Sequence, residues 1–348
     1  MEVVMQRNAP EADVQNIYQK VKDLLVKART RALQAVNTEM VVCYWNIGRL
    51  IVEEEQRGEK RAEYGKQVIK DLSKKLTAEF GKGFNSRNLW FMRNFFVTYP
   101  KVNALRTELT WTHYRILLRV ENPDARSFYE NEAINARWST RELERQINSL
   151  LFERLALSRD KKGVMKLAAK GHEIQHITDL VKDPYVLEFA GLQQVEQFLE
   201  KDLESALIDK LRQFLLELGK GFAFMARQQR ITLDGESFYI DLVFYNRLTR
   251  SFVLIDLKVG KLKHQDIGQM QMYVNYYQRQ LTGEDENPPI GIILCSDKND
   301  AVVRYTLPED NNRIFASRYK LYLPTEKELA AEIRKERQRI EMEKRVAE

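Results

Sequence analysis

Two apolar runs in the last third of the chain limit its fold more than any other feature: SFYIDLVFYN (237–246) and SFVLIDLKVG (251–260), joined through NRLTR (246–250). Their composition and period-two pattern predict strands, and the short connection predicts an antiparallel hairpin. Alternation places Phe238, Ile240, Leu242 and Phe244 on one face of the first strand and Tyr239, Asp241 and Val243 on the other. The second run is too apolar from Phe252 to Ile255 for an exposed strand, yet it ends in Asp256-Leu257-Lys258 with both charges on one face. In such a hairpin Asp241 and Asp256 lie side by side, where two carboxylates repel unless a cation or proton joins them.

A divalent metal is the economical answer. Hard cations such as Mg2+ (or Mn2+) take oxygen ligands, and two aspartates plus the Leu257 backbone carbonyl make a half-shell that leaves room for water. A metal there acidifies a bound water and polarises a phosphate, while Lys258 orients the water and offsets transition-state charge. Phosphodiester hydrolysis follows from that arrangement. The competing reading is a pair of ordinary strand-end acids balanced by Lys258 and Lys261. The D-x-K triplet recurs at Asp160-Lys161-Lys162, so the weight rests on the ordered set: acidic helix, strand with Asp241, strand with Asp256 and Lys258, then another helix.

The remainder reads as two domains. Residues 1–157 show apolar positions three and four apart and no strand pattern, with Asn122-Pro123 as cap and first-turn proline and Ser139 with Glu142 as a capping box; they form an all-helical N-terminal domain. A helix within FNSRNLWFMRNFF carries Arg87 and Arg93 among aromatics, either as a packed core stripe with solvated arginines or as a DNA-contacting element. Residues 158–193 form a polar connector. Residues 194–324 form an α/β domain whose first helix extends from about Leu192 to Leu218. It continues with the strand FAFMARQQRITL, a turn at Asp234-Gly235, the hairpin, a helix from about His264 to Arg279, the strand IGIILC, a short helix near Val302 and a strand from Tyr319 to Leu323. Residues 325–348 read as a charged C-terminal helix.

The 348 residues carry 56 basic and 50 acidic side chains, a net charge of +6 that suits a polyanionic partner. Arg227, Arg230, Arg247, Arg250, Lys261 and Lys263 are expected around the proposed site, either to track a phosphate backbone or to solubilise hairpin edges. With only Cys43 and Cys295, no disulfide scaffold or thiolate metal motif is expected. The start MEVVMQRNAP is not a basic leader, and no run approaches a membrane span, so the expected compartment is the cytoplasm, without membrane contact. His172-Glu173-Ile174-Gln175-His176 matches H-E-x-x-H, with Glu196 and Glu200 as conceivable third zinc ligands. Its place in a connector without a strong apolar face favours surface histidines on a short helix.

The blocks FLLELGKGFAFMARQQRI, FYIDLVFYN, VLIDLKVGKL and GQMQMYVNYY resemble the YhcG-like branch of the PD-(D/E)XK nuclease superfamily. VNTEMVVCYWNIGRLIVEEE, FNSRNLWFMRNFF, LTWTHYRILL and WSTRELERQI resemble the helical N-terminal domain of the same family. The resemblance implies a restriction-endonuclease-like α/β domain with a central mixed sheet, and a metal-dependent nuclease acting on nucleic acid, with DNA expected, in the processing of foreign, mobile or recombining DNA. It implies Asp241 and Asp256 as metal ligands and Lys258 as catalytic. It further implies a helical glutamate, Glu204 or alternatively Glu217, among the ligands, and Gln269 with Tyr273 in support. Many nucleases of this fold act as dimers, which makes a homo-oligomer an expectation by analogy. The alternative is an inactive DNA-binding or scaffold protein that retains the fold.

Overall fold

The computed structural model describes residues 9–57, 62–156, 161–174, 176–192, 197–308, 310–325 and 327–328. The chain forms two compact units, one up to Glu121 and one from Asn122.

The first unit is helical: α1 (Ala9–Arg57), α2 (Ala62–Phe80), α3 (Ser86–Thr98) and α4 (Trp111–Leu117). Asn85 caps α3 by accepting the Asn88 N–H, and α3 turns Leu89, Phe91, Met92 and Phe95 inward, so most of its aromatic stripe is packing. Helices α1 and α3 meet at Gly48, where a Cβ would fall 2.0 Å from the Met92 carbonyl oxygen. The obstacle is backbone, which cannot swing aside. Gly48→Ala is therefore expected to force the helices apart at a cost of about 2–3 kcal/mol, read as a lowered chemical-denaturation midpoint.

The second unit opens with α5 (Pro123–Asn135), α6 (Thr140–Asn148), α7 (Leu151–Ala156) and α8 (Lys161–Lys170). Asn122 caps α5 with Pro123 in its first turn, and Ser139 and Glu142 form the expected capping box of α6. Then come β1 (Tyr185–Val186), α9 (Glu200–Asp209), α10 (Leu211–Leu218), β2 (Phe222–Leu233), β3 (Glu236–Asn246), β4 (Ser251–Lys261), α11 (His264–Gln280), β5 (Ile290–Asp297), α12 (Asp300–Thr306) and β6 (Ile314–Lys320). The six strands form one mixed sheet in the order β1-β6-β5-β4-β3-β2. The pairs β2–β3 and β3–β4 are antiparallel; β4–β5, β5–β6 and β1–β6 are parallel. One face packs Leu242, Phe244, Val253, Ile255 and Leu257 with Leu203, Leu207 and Phe214 of α9 and α10. The other packs Leu254 and Ile293 with Met270, Tyr273 and Tyr277 of α11. Strands β4 and β5 are covered on both faces, which explains their near-continuous apolar sequence.

The structure departs from the sequence expectations in four places. The helix expected from Leu192 to Leu218 is two helices, broken at Lys210 where φ is −113° and ψ is 33°. The last strand starts at Ile314 and ends at Lys320, not at Leu323. The connector contributes a strand, with Tyr185 and Val186 in register with Tyr319 and Lys320. Finally, the helices from Pro123 to Ala156, which the sequence groups with the N-terminal module, pack with the second unit. Arg154 of α7 reaches Glu217 of α10 at 2.6 Å, and Arg145 of α6 reaches it at 3.3 Å. Of the expected C-terminal helix, residue 326 and residues 329–348 lie outside the described residues. No helix among the described residues is long and apolar enough to cross a membrane.

Candidate active site

The ladder between β3 and β4 runs from Asn246↔Ser251 to Leu242↔Ile255 and stops there. One step further the register would set Asp241 against Asp256, and at that point the strands part. The Leu257 N–H donates to Asp241 Oδ2 at 2.7 Å. Because the N–H and C=O of a strand residue point to the same side, the Leu257 carbonyl faces the same gap.

On the other edge of β3 the pairing also skips a residue. Arg227 pairs with Leu242 and Gln229 with Ile240, leaving Gln228 out of the ladder at a φ of 47°. That left-handed conformation costs a long side chain about 1–3 kcal/mol. It sets the Gln228 amide between two carboxylates, donating to Asp241 Oδ1 at 2.9 Å and to Glu204 Oε2 at 2.7 Å. The expected alternation of β3 fails here: Ile240 packs on the α11 face and Leu242 on the opposite one.

Asp256 is only 2% exposed. Its Oδ2 lies 2.9 Å from Lys258 Nζ in an ion pair, yet no donor aims a well-directed hydrogen bond at that oxygen. Burial pushes the Asp256 carboxyl up to about 7, Asp241 adds to the rise and Lys258 opposes it. Burial likewise raises Asp241 above its ordinary value, against the Leu257 N–H, Lys258 and Gln228. For Lys258 burial acts downward, but Asp256, Glu200 and Asp241 outweigh it and hold the ammonium above its usual range. Glu200, at the start of α9, stands 3.8 Å from Lys258 Nζ and accepts the Val259 N–H at 3.2 Å.

Of the two glutamates left open by the sequence, Glu204 is the one tied to this site, through Gln228. Its other oxygen pairs with Arg227, which also donates to Ser205 Oγ at 3.1 Å. Glu217 is completely buried and engaged by Arg154, Arg145 and the Val186 N–H. Among the described residues no three His, Cys, Asp or Glu side chains stand together as a metal-holding group, and Glu204 is ion-paired with Arg227. The remaining donors, Asp241, Asp256 and the Leu257 carbonyl, are all hard oxygens. The buried Asp256 oxygen without a directed hydrogen bond is the atom a divalent cation would satisfy.

Gln269 donates to the Tyr273 hydroxyl, which donates in turn to the Tyr239 carbonyl at 2.8 Å. Tyr273 is fully buried, so this bond pins β3 two residues before Asp241. Burial, opposed by Gln269 and reinforced by Asp256 and Asp241, raises its pKa. Tyr273→Phe removes the hydroxyl that links Gln269 to the Tyr239 carbonyl; a loss of about 0.5–1.5 kcal/mol of stability is expected in denaturant titration.

Beside these residues lies a cleft of about 710 Å³ lined by Glu200, Lys201, Glu204, Arg227, Gln228 and Asp241. Arg230 is exposed and bonds Ser237 Oγ at 3.0 Å, while Lys261 and Lys263 are exposed where β4 gives way to α11. Arg87 and Arg93 belong to the other unit. Arg93 is held by Glu55 at 2.7 Å, whereas Arg87 is exposed, 6.0 Å from the Phe91 ring centroid. The H-E-x-x-H residues do not form a helical turn. Gly171 to Ile174 are irregular, Gln175 lies outside the described residues, His172 is buried and Glu173 pairs with Lys166 at 3.3 Å. Glu200, considered there as a zinc ligand, faces Lys258 instead.

Sequence reasoning did not single out Gln228 or this role of Glu200. Adjacent glutamines in an otherwise strand-like run were the only signal for the first, and a left-handed residue within a strand is not legible from composition.

Residues 178–335 match the family model of the YhcG PDDEXK nuclease domain, and residues 20–154 match the DUF1016 N-terminal domain. The protein YhcG of Escherichia coli (strain K12) is 41% identical over 354 residues, covering 92% of this chain and 94% of the relative. Among solved structures, a repair endonuclease from Pyrococcus abyssi overlaps 37% of this chain and 50% of its own at 19% identity and a TM-score of 0.25. EndoMS in a complex with double-stranded DNA overlaps 37% and 48%, at 17% identity and a TM-score of 0.26. Likenesses of that extent carry no argument about activity. The two family matches and the near full-length identity do, and the chain belongs to the YhcG family, with a DUF1016 N-terminal domain followed by a PDDEXK nuclease domain.

Proposed function

We propose that the second unit is a divalent-metal-dependent nuclease that hydrolyses DNA phosphodiester bonds. The observation that carries this reading is the gap at the end of the β3–β4 ladder. There the buried Asp256, whose carboxyl lies far above its ordinary range, sits beside Asp241, the Leu257 carbonyl and Lys258. Nothing in packing requires two carboxylates at that point; a hydrophobic pair would cost less.

In this reading Asp241, Asp256 and the Leu257 carbonyl hold Mg2+ or Mn2+. When bound, such an ion supplies Lewis-acid polarisation of the phosphate and a more acidic water. Gln228 and the Leu257 N–H fix the orientation of the Asp241 carboxylate. Lys258 stays protonated and presents its ammonium to the attacking water and the developing charge on the phosphate. Tyr273 and Gln269 hold β3 in place, and Glu204 keeps Arg227 and Gln228 ordered at the cleft wall. The exposed Arg230, Lys261 and Lys263 offer contacts for flanking phosphates. The helical N-terminal domain contributes DNA or partner contact through Arg87, and Arg93 serves to brace α1 against α3.

The test is cleavage of linear, circular and branched DNA, and of an RNA of matched sequence, by the full chain in magnesium, manganese or chelator. Cleavage of DNA that requires the metal is expected. Binding of DNA without cleavage in any metal would replace this reading with that of an inactive scaffold.

A further inference from the structure

A second cavity, of about 590 Å³, opens in the same unit between α5, α6, α10 and the adjacent turns that precede β2 and follow β3. It is remote from the candidate active site: Arg247 on its rim is six residues along β3 from Asp241, about 20 Å in an extended strand.

Its lining is unbalanced in charge. Arg137, Lys182, Arg212, Lys220 and Arg247 face Glu132 and Glu142 alone. Both carboxylates are already committed, Glu132 to Lys220 at 2.7 Å and Glu142 to Arg212 at 2.8 Å. That leaves three cations. Lys182, 5% exposed, donates to the carbonyls of Glu217 and Leu218 and forms no ion pair with a carboxylate among the described residues. Two of its three ammonium donors are thereby used. Burial pulls it down to about 8, Glu217 holds it up, and Arg154 and Arg145 press it down again. Arg137 and Arg247 stand exposed on the rim, and neither forms an ion pair among the described residues. A buried ammonium below two uncommitted guanidiniums costs desolvation energy that an anion would recover.

The rest of the wall is not ionic. Leu151, Leu215 and Leu216 line it together with Trp138, whose indole is 8% exposed. A cavity of this size with one apolar wall and one cationic wall matches a ligand of the same two halves. We propose that it binds a nucleoside phosphate, its phosphate on Lys182, Arg137 and Arg247 and its base against Trp138 and the leucines. The ligand is either a free nucleotide or the phosphorylated end of a nucleic-acid strand.

The experiment is titration calorimetry on the full chain in chelator with four probes: inorganic phosphate, deoxyadenosine monophosphate, a short 5′-phosphorylated oligonucleotide and its 5′-hydroxyl twin. Expected is saturable binding of the mononucleotide or of the phosphorylated strand. The Arg137→Ala/Arg247→Ala double variant should weaken it at least about tenfold. Both arginines are exposed, so the double variant should fold, which circular dichroism verifies. Preference for the mononucleotide identifies a free ligand, and preference for the 5′-phosphate over the 5′-hydroxyl strand identifies a strand end. Three results would each overturn the proposal: no binding of any probe, binding untouched by the double variant, or inorganic phosphate held as tightly as the mononucleotide. The outcome is independent of whether the nuclease reading holds, because cleavage is not the readout.

Discussion

Asp256→Asn and Lys258→Ala should each lower DNA cleavage by about 10²–10⁴-fold in magnesium, at unchanged DNA affinity, in a gel assay with single-turnover controls. The two variants should differ in stability, and that difference separates a catalytic pair from an ordinary salt bridge. Burial outweighs the Lys258 ion pair and raises the Asp256 carboxyl, so replacing it by a neutral isostere removes a desolvation cost and should leave the melting temperature equal or higher. Lys258→Ala instead strips Asp256 of its ion pair and should lower it. If the pair were structural, Asp256→Asn would destabilise the fold and spare activity. Equal cleavage by wild type and both variants would reject the site assignment outright.

The largest stability effect is expected elsewhere, at Glu217. Its carboxylate is fully buried and accepts from Arg154 and the Val186 N–H while pairing with Arg145. Burial alone would raise its pKa, but Arg154, then Lys182 and Arg145, bring it down from 4.5 to about 2. Glu217→Ala leaves two guanidiniums and a backbone donor without their acceptor, so a loss of about 3–5 kcal/mol is expected in urea titration. Replacing Glu217 and Arg154 together by methionines should cost much less, because no uncompensated charge remains. The pH dependence has a definite sign. A depressed carboxylate pKa stabilises the fold fully above 4.5, and that contribution is lost as pH falls from 4.5 through about 2. Wild type should therefore show a steeper acid loss of stability in that window than Glu217→Ala.

Much of this was legible in the sequence, because it depends on local pattern. The Asp234-Gly235 turn, the hairpin, the caps at Asn122 and Ser139 and the helix after Lys263 each follow from a few adjacent residues. The pairing of Asp241 with the Asp256-Leu257-Lys258 strand followed from register alone. What was not legible depends on a partner distant in sequence or on a backbone exception. Gln228 adopts a left-handed conformation inside β2, and β3 changes faces between Ile240 and Leu242. The pairing of Glu204 with Arg227 joins two elements 23 residues apart, and no spacing rule foretells it. Glu217 was a plausible ligand in sequence because a helix position does not reveal which neighbour covers it. The cavity beside Lys182 gathers residues from five separate segments and had no sequence signature.

The seam between the two family matches, at residues 154 and 178, falls inside the second unit. Arg145 and Arg154 come from the upstream match and their shared acceptor, Glu217, from the downstream one. Inheritance of the two regions is therefore coupled by electrostatics. A recombination event that exchanged one half for a homologue lacking the matching arginine or glutamate would leave a naked charge in the interior, and selection would discard it. The same holds for a truncated expression clone begun at residue 178: it would carry Glu217 without either arginine. One begun at Asn122 would keep the whole cluster.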